Sequence, residues 1–324
     1  MSHPIRIVVT DCDHDSMAPE TEIAAQHGIE LVHATCRTEE EVIAAAQGAG
    51  GILVQYAPVT GNVLSALPSL RAIGRYGVGV DTVDVAAATS RRVAICNVPD
   101  YGIEDVSDHA IALAMTLKRA VVRLDRQIRS GGYDYSVARP LHRTRDQVFG
   151  VLGMGRIGMA TARKAAGIGF TVIGHDPERT PGSSLDGGLE AVEFEALLAR
   201  SDVLSIHVPL TAETRHLFGD DTFSRMKEGS ALINTARGGI VDTAALLRAL
   251  SGGRLSGAGL DVFEDEPLAE DSPLRTHDGV VLTPHVAWYS EESFKELKSR
   301  TIQNVVDVLS GRRPRDIFNP EILA

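Results

Sequence analysis

Short apolar runs alternate with stretches of helical periodicity along most of the chain. In the first third, the apolar runs are rich in β-branched residues and bounded by turn residues, as strands buried on both faces of a sheet are. Helical candidates such as Glu39–Gln47 and Val83–Ser90 separate them. The pattern predicts one open α/β sheet of about five parallel strands. These strands are Ile5–Thr10, Ile29–His33, Gly51–Gln55, Arg71–Gly74 and Val93–Cys96.

A second series of apolar runs begins near Gln147. Six strands with helices between them match a complete dinucleotide-binding sheet. The fold class predicted is therefore α/β, with two doubly wound parallel-sheet domains. The strands of the second series are Val148–Leu152, Thr171–His175, Val203–His207, Ala231–Asn234, Ala258–Val262 and Val280–Thr283.

Three segments lie outside these two series. Apolar residues recur at helical spacing from Glu104 to about Arg129, which predicts one long helix that joins the domains or supplies a dimer face. Ser130–Arg145 is predicted to be an irregular arm. Ser290–Leu309 is helical in pattern but too short to form a domain, so we expect it to pack on the first domain.

Composition narrows the class of protein. A chain of 324 residues with 44% hydrophobic content is long enough for two domains. The formal net charge of −11 argues against a nucleic-acid or anionic-membrane partner. We expect neither a membrane span nor a signal peptide. Cys12, Cys36 and Cys96 are widely spaced, which favours a reducing, cytoplasmic setting and no metal site.

A G-x-G-x-x-G pattern at Gly153, Gly155 and Gly158 follows the strand Val148–Leu152 directly and leads into a helical stretch. Gly153 would permit the tight turn, Gly155 the approach of a pyrophosphate, and Gly158 close packing of helix and strand. The free N–H groups at the helix start would then bind phosphate. This context predicts a dinucleotide site rather than a turn with incidental glycines.

Asp176 ends the next strand, roughly 20 residues beyond the glycines, where an acidic residue hydrogen-bonds the adenosine ribose. A carboxylate there would repel the 2′-phosphate of NADP, which favours NAD, although the nearby Arg179 complicates that preference. The alternative is an ordinary solvated acid in a loop.

Three polar side chains follow successive strands of the second series. Arg237 follows Ala231–Asn234, Glu266 follows Ala258–Val262, and His285 follows Val280–Thr283. Reduction of a 2-oxo acid needs a cation for the carboxylate, a proton donor, and a partner that tunes the donor. Histidine suits reversible proton transfer near neutrality, and an ionised Glu266 would favour its imidazolium form. Because ligands bind at the carboxyl ends of such strands, these residues are the predicted catalytic set.

The alternatives for these residues are structural. The acidic cluster of Asp261, Glu264, Asp265 and Glu266 could be a solvated loop. Further histidines are scattered and are interpreted as surface or core residues: His14, His27, His33, His109 and His216. Neither a G-x-S-x-G nucleophile turn nor a Walker phosphate loop is present.

With these motifs, nearly the whole chain resembles the D-isomer-specific 2-hydroxyacid dehydrogenase family. The shared segments are YGVGVDTVD (Tyr76–Asp84), the GMGRIG cradle, HVPLTAET (His207–Thr214), NTARGG (Asn234–Gly239), GLDVFEDEP (Gly259–Pro267) and TPHVAW (Thr283–Trp288). The resemblance implies an NAD-dependent oxidoreductase that transfers hydride between nicotinamide and C2 of a small acid. It places the family's catalytic Arg, Glu and His on Arg237, Glu266 and His285.

The resemblance also implies further contacts. Val78 and Gly79 would hold the substrate carboxylate beside Arg237, Asp261 would face the nicotinamide carboxamide, and Val106 would border the nicotinamide pocket. The remaining cofactor contacts implied are Arg156, Ile157, His207, Val208, Pro209, Thr214, Thr235 and Ala236.

For the domains, the resemblance implies a Rossmann NAD-binding domain inserted into a flavodoxin-like substrate domain. The substrate domain would comprise residues 1–100 and 286–324, and the NAD-binding domain residues 101–285. The active site would lie in the cleft between them, and the helix at 104–129 would take part in a homodimer interface.

Trp288, the only tryptophan, departs from members that carry two small residues after the catalytic His. In this respect the chain is similar to the C-terminal-binding-protein branch, where the Trp lines the substrate pocket. The alternative is a packing role. Two rival functions stay open at this point: an NAD(H)-sensing regulator with little turnover, and a phosphoglycerate dehydrogenase with additional cations that the sequence does not identify.

Overall fold

The computed structural model describes residues 5–14, 16–185 and 189–323. The chain forms two compact units. One contains residues up to Gly102 together with those from Ser290 onward, and the other is Ile103–Tyr289. Within the described ranges, no helix is both long and apolar enough to cross a membrane.

The first unit is built on a five-stranded parallel sheet. The strand order is β2-β1-β3-β4-β5, the flavodoxin-like order, and every pair is parallel. The strands are β1 (Arg6–Val9), β2 (Glu30–His33), β3 (Gly51–Val54), β4 (Ala72–Arg75) and β5 (Ala94–Cys96). The helices between them are α1 (Ala18–Gln26), α2 (Glu39–Ala46), α3 (Gly61–Ala66) and α4 (Val85–Ser90).

The C-terminal helix packs on this same sheet. It spans Glu291–Leu309 (α11), and the Ser290 side chain caps its first turn. Glycines on two strands make room for it, because a Cβ at Gly51 or Gly74 would lie 2.6 or 2.8 Å from Val305. The helix therefore approaches β3 and β4 closely.

The second unit contains an eight-stranded sheet in the order β13-β12-β11-β10-β6-β7-β9-β8. All pairs are parallel except β8 with β9 at one edge. Its strands are β6 (Val148–Leu152), β7 (Thr171–His175), β8 (Ser184–Leu185), β9 (Leu189–Ala191), β10 (Val203–Ile206), β11 (Ser230–Asn234), β12 (Leu255–Leu260) and β13 (Val280–Leu282). Its helices are α5 (Ile103–Lys118), α6 (Val121–Arg129), α7 (Arg156–Ile168), α8 (Phe194–Arg200), α9 (Asp220–Arg225) and α10 (Thr243–Ser251).

The predicted fold class, two doubly wound parallel-sheet domains, is confirmed. The expectation of six strands in the second sheet misses β8 and β9, since elements of two and three residues are too short to produce a period-two signal.

The prediction of one long helix over 104–129 is wrong. The chain forms α5 and α6 instead, and Ala120 between them has a left-handed backbone with φ of 52°. The apolar spacing continues across the break, so the hydrophobic pattern cannot reveal it. The arm that follows contains only two short 3-10 turns, Tyr135–Ala138 and Thr144–Asp146, as its irregular composition predicts.

Candidate active site

The glycine loop lies between β6 and the start of α7. Gly153 has φ of 90°, and a Cβ there would come within 2.8 Å of the His207 backbone. A Cβ at Gly158 would collide with the Gly153 carbonyl, whereas one at Gly155 would meet nothing within 4 Å. Gly155 caps α7, and Arg156 and Ile157 are its first two residues. The loop thus leaves open space beside the N–H groups of a 13-residue helix, as a pyrophosphate requires.

Asp176 stands beside this loop, just after β7. Its Oδ2 accepts a 2.8 Å hydrogen bond from the Met154 backbone N–H, and its Oδ1 accepts one of 3.0 Å from Glu178. The carboxylate is therefore ordered at the edge of the cradle. This placement disfavours the alternative of a freely solvated loop acid.

The segment after β10 borders the same edge of the sheet. His207 donates its backbone N–H to Leu152 (2.7 Å), and its Nε2 lies 2.8 Å from the Ser205 hydroxyl. Burial lowers the pKa of His207 to about 4, so its ring is neutral at pH 7. The Thr214 hydroxyl donates to the Pro209 carbonyl (2.7 Å), which closes the loop that follows Val208.

Arg237 is held by a turn that follows β11. Asn234 forms this turn, because its Oδ1 accepts the Ala236 N–H (3.0 Å) and its Nδ2 donates to the Arg237 carbonyl (2.9 Å). Sequence reasoning missed Asn234, although an Asn at a strand end favours such a turn. Thr235, in the same turn, has a buried hydroxyl that forms no hydrogen bond with any residue the structure describes.

The Arg237 turn packs against the loop that follows β12. A Cβ at Gly238 would collide with the Phe263 carbonyl, so only glycine allows this approach. The charge of Arg237 also acts on Glu266, since it is among the groups that lower the pKa of that carboxyl.

Glu266 and His285 form the centre of the site. Oε2 of Glu266 lies 2.7 Å from Nδ1 of His285, and Oε1 accepts the Phe263 N–H at 2.9 Å. Burial alone would raise the pKa of Glu266, but the hydrogen bond and charge of His285 outweigh it and hold the pKa below its ordinary value. Glu266 is thus ionised at neutral pH and orients the imidazole.

Asp261 lies immediately behind His285. It is fully buried, and both carboxylate oxygens are engaged by the protein: Oδ1 by Thr283 and the Val286 N–H, Oδ2 by the Ala287 N–H. Its implied contact with the nicotinamide carboxamide stays a prediction.

Trp288 closes the turn that carries His285. Its indole N–H donates to the His285 carbonyl at 3.0 Å, and its ring packs edge-on against Tyr289. The indole is half-buried, so its role in the substrate pocket stays a prediction beside this packing role.

The other predicted contact residues lie on separate elements. Val106 is half-buried on α5. Val78 and Gly79 lie in the first unit on the loop after β4, where the Val78 carbonyl accepts a 2.7 Å bond from Asn97. Their binding roles stay predictions.

From the sequence, His216 is interpreted as a surface or core residue and Glu264 as part of a solvated loop, but both have defined partners. Nε2 of His216 lies 2.6 Å from Oε1 of Glu264, whose Oε2 accepts the Thr243 N–H at 2.7 Å. The acidic cluster is therefore not a uniformly solvated loop: Asp261 and Glu266 both contact the turn around His285, and Glu264 contacts His216 and Thr243.

The comparisons with known proteins settle the family. Residues 111–287 match the NAD-binding domain of D-isomer-specific 2-hydroxyacid dehydrogenases, which is more than half of the chain. The chain belongs to this family.

Proteins similar to this chain are named as reductases or dehydrogenases of small 2-oxo or 2-hydroxy acids. It is 39% identical over 269 residues to a glyoxylate reductase of Korarchaeum cryptofilum, a match that covers 82% of this chain and 81% of the relative. It is 35% identical to a D-3-phosphoglycerate dehydrogenase of Archaeoglobus fulgidus, but that match covers only 56% of the relative. A D-lactate dehydrogenase from Aquifex aeolicus, solved with NAD and lactic acid, superposes with a TM-score of 0.85 at 28% identity, covering 97% of this chain and 99% of that one.

The residues of the dehydrogenase fit its cofactor, NAD. The open space at Gly155 suits the pyrophosphate, the Asp176 carboxylate beside the glycine loop suits the hydroxyls of an adenosine ribose, and the Thr235 hydroxyl is a buried polar group that a ligand could satisfy. The protein is thus an NAD-dependent oxidoreductase that transfers hydride between nicotinamide and C2 of a 2-hydroxy or 2-oxo acid.

Proposed function

We propose that the protein reduces a short 2-oxo acid, with His285 as proton donor, Glu266 as its orienting partner and Arg237 as the cation for the substrate carboxylate. The observation that carries this assignment is the 2.7 Å contact between His285 Nδ1 and Glu266 Oε2 at the carboxyl ends of β12 and β13. An imidazole held this way is fixed in tautomer and orientation, as a general acid must be.

NADH, when bound, supplies the hydride to the carbonyl carbon. The Arg237 guanidinium binds the substrate carboxylate through paired N–H donors and stabilises the negative charge that develops on the carbonyl oxygen. His285 delivers a proton from Nε2 to that oxygen, while Glu266 stabilises the imidazolium through Nδ1. In the oxidation direction the neutral imidazole accepts the hydroxyl proton at the same atom.

Short unphosphorylated acids such as glyoxylate and hydroxypyruvate are the substrates we propose. The relative named glyoxylate reductase is matched over 81% of its length, whereas the phosphoglycerate dehydrogenase is matched over 56%. Substrate breadth would depend on Trp288, whose indole N–H is engaged by the His285 carbonyl and leaves an apolar ring as its available surface.

A screen of NADH oxidation tests this proposal. Glyoxylate, pyruvate, hydroxypyruvate, phenylpyruvate, 2-oxoisocaproate and 4-methylthio-2-oxobutyrate are the reduction arms, and D-3-phosphoglycerate with NAD is the oxidation arm. We expect the highest kcat/KM on glyoxylate or hydroxypyruvate. Activity confined to phosphoglycerate would show that the substrate is a phosphorylated acid. Tight NADH binding without turnover on any acid would instead favour an NAD(H)-sensing regulator.

For the whole molecule we propose a homodimer in the cytoplasm, with the first unit as substrate domain. The support for the dimer is the exposed apolar surface of α6 and the arm: no described residue of α6 is buried, and Val121 and Ile128 are each 53% exposed. Sedimentation velocity gives the test, and a concentration-independent monomer would refute the dimer.

A further inference from the structure

A buried carboxylate organises the turn that carries His285. The backbone N–H of His285 donates to the Asp261 carbonyl (2.7 Å), and the next two N–H groups, of Val286 and Ala287, donate to the Asp261 carboxylate at 2.9 and 2.8 Å. Two successive N–H groups thus converge on the carboxylate, as backbone N–H groups do in anion sites, and the third binds the carbonyl of the same residue. Asp261 is 0% exposed, so its carboxylate is an internal part of this turn.

The turn needs this support because its backbone is strained. His285 has φ of 53°, a left-handed conformation that is unfavourable for a residue with a Cβ. Such a conformation persists only where surrounding contacts enforce it. The contacts that enforce it here are those with Asp261, together with the Trp288 indole on the His285 carbonyl.

Two side chains in turn fix the Asp261 carboxylate. The Thr283 hydroxyl donates to Oδ1 at 2.6 Å, and Nε2 of His109 lies 2.9 Å from the same hydroxyl oxygen. Since the only hydrogen of that hydroxyl is given to Asp261, His109 must donate through Nε2. Nε2 of His109 also lies 3.7 Å from Asp261 Oδ1, so the imidazole borders the carboxylate directly.

We propose that Thr283 and His109 are positioning residues for the reaction, and that they act on His285 through Asp261. Neither residue has a role in the mechanism above. The hydrogen bonds that lead from His109 through Thr283 and Asp261 to the His285 turn all lie within the second unit. The inference rests on the proposed role of His285 as proton donor. Loss of the Thr283 hydroxyl would let the Asp261 carboxylate rotate, and the His285 turn would relax away from its strained geometry.

The sharpest test compares Thr283→Val with Thr283→Ser. Valine has nearly the shape of threonine but no hydroxyl, whereas serine keeps the donor. We expect Thr283→Val to lower kcat by about 10- to 100-fold, the cost of a displaced catalytic group. KM for the 2-oxo acid should change less than about threefold, because Arg237 is untouched. Thr283→Ser should restore most of kcat.

A second pair tests the outer end of the chain. His109→Phe removes the donor to Thr283, and His109→Gln keeps an amide donor at a similar reach. We expect a smaller loss of kcat for the Phe variant, about 3- to 10-fold, and a recovery by Gln. Because the His109 side chain is 23% exposed, this pair decides the question even where Thr283→Val does not fold.

The outcomes separate this inference from the proposed function. Parental kcat in both Thr283→Val and His109→Phe, with turnover lost in His285→Gln, would overturn the positioning role alone. A rise in KM for the 2-oxo acid that matches the fall in kcat would also overturn it, since that pattern indicates general loosening of the unit. Parental turnover in His285→Gln would overturn the proton-donor assignment itself.

Discussion

Glu266 carries a charge whose effect on the protein depends on pH. Its pKa in the folded state lies below the ordinary value of 4.5, so its ionised form stabilises the fold above pH 4.5. That stabilisation is lost as the pH falls through the lowered folded pKa. We expect Glu266→Gln to reduce the free energy of unfolding by about 1 kcal/mol at pH 7 and by progressively less below pH 4.5. Urea unfolding at a series of pH values measures this, and a difference that grows towards low pH would contradict the assignment.

A substitution at Gly155 should affect cofactor binding without affecting the fold. A Cβ there meets no protein atom, so Gly155→Ala should fold normally, yet the methyl group would project into the pyrophosphate cradle. We expect at least about tenfold weaker NADH binding, measured by fluorescence titration. Gly167→Ala is the matched control, because Gly167 lies on the same helix and also has open space around it. Equal NADH affinity in both variants would contradict the cradle.

Among single residues, the sequence predicted those functional side chains that follow the end of a strand. Arg237, Glu266 and His285 each follow an apolar run, and their common edge follows from parallel pairing. It missed Asn234, although the turn that Asn234 forms is local, and it missed Thr283 and His109, whose partners are fixed by packing. His109 and Thr283 are 174 positions apart, and no local pattern connects them.

Among the elements, the break between α5 and α6 is the feature that the hydrophobic pattern hides. Ala120 has φ of 52°, where glycine is favoured over alanine. We expect Ala120→Gly to leave stability unchanged or raise it by up to about 1 kcal/mol. A continuous helix would instead lose about 1 kcal/mol, so the sign of the change in thermal unfolding decides between the two structures.

The strands were more predictable than the helices. Each run of β-branched residues became a strand within a few residues of its predicted bounds, because burial on both faces demands such residues. Only β8 and β9 escaped, since pairing at a sheet edge needs too few residues to leave a pattern.

On the scale of the whole molecule, the C-terminal helix returns to the unit that the N-terminus begins. Lys298 on α11 and Glu20 on α1 form an ion pair of 2.8 Å in which both side chains are 0% exposed. The Tyr76 hydroxyl also donates to Glu20 (2.7 Å). Sequence reasoning assigns charged residues to the surface, so this pair was not predictable before the two helices were brought together.

We expect Lys298→Met to destabilise the protein by about 3–5 kcal/mol, because it leaves the Glu20 carboxylate buried without its cation. The double variant Lys298→Met/Glu20→Gln should lose much less, since no buried charge remains and the amide oxygen still accepts from Tyr76. Chemical denaturation of the two variants provides the comparison. Equal losses would show that the packing of the lysine stem, and not the ion pair, stabilises this contact.

The most direct test of the mechanism is a single-turnover measurement on His285→Gln. The variant and the parent are loaded with NADH and mixed with the 2-oxo acid that the screen identifies as preferred, and NADH absorbance is followed. Proton donation by His285 predicts a fall of about 10²- to 10⁴-fold in the rate of hydride transfer, with Kd for NADH close to the parental value. Hydride transfer at the parental rate would contradict the assignment of His285 as the proton donor.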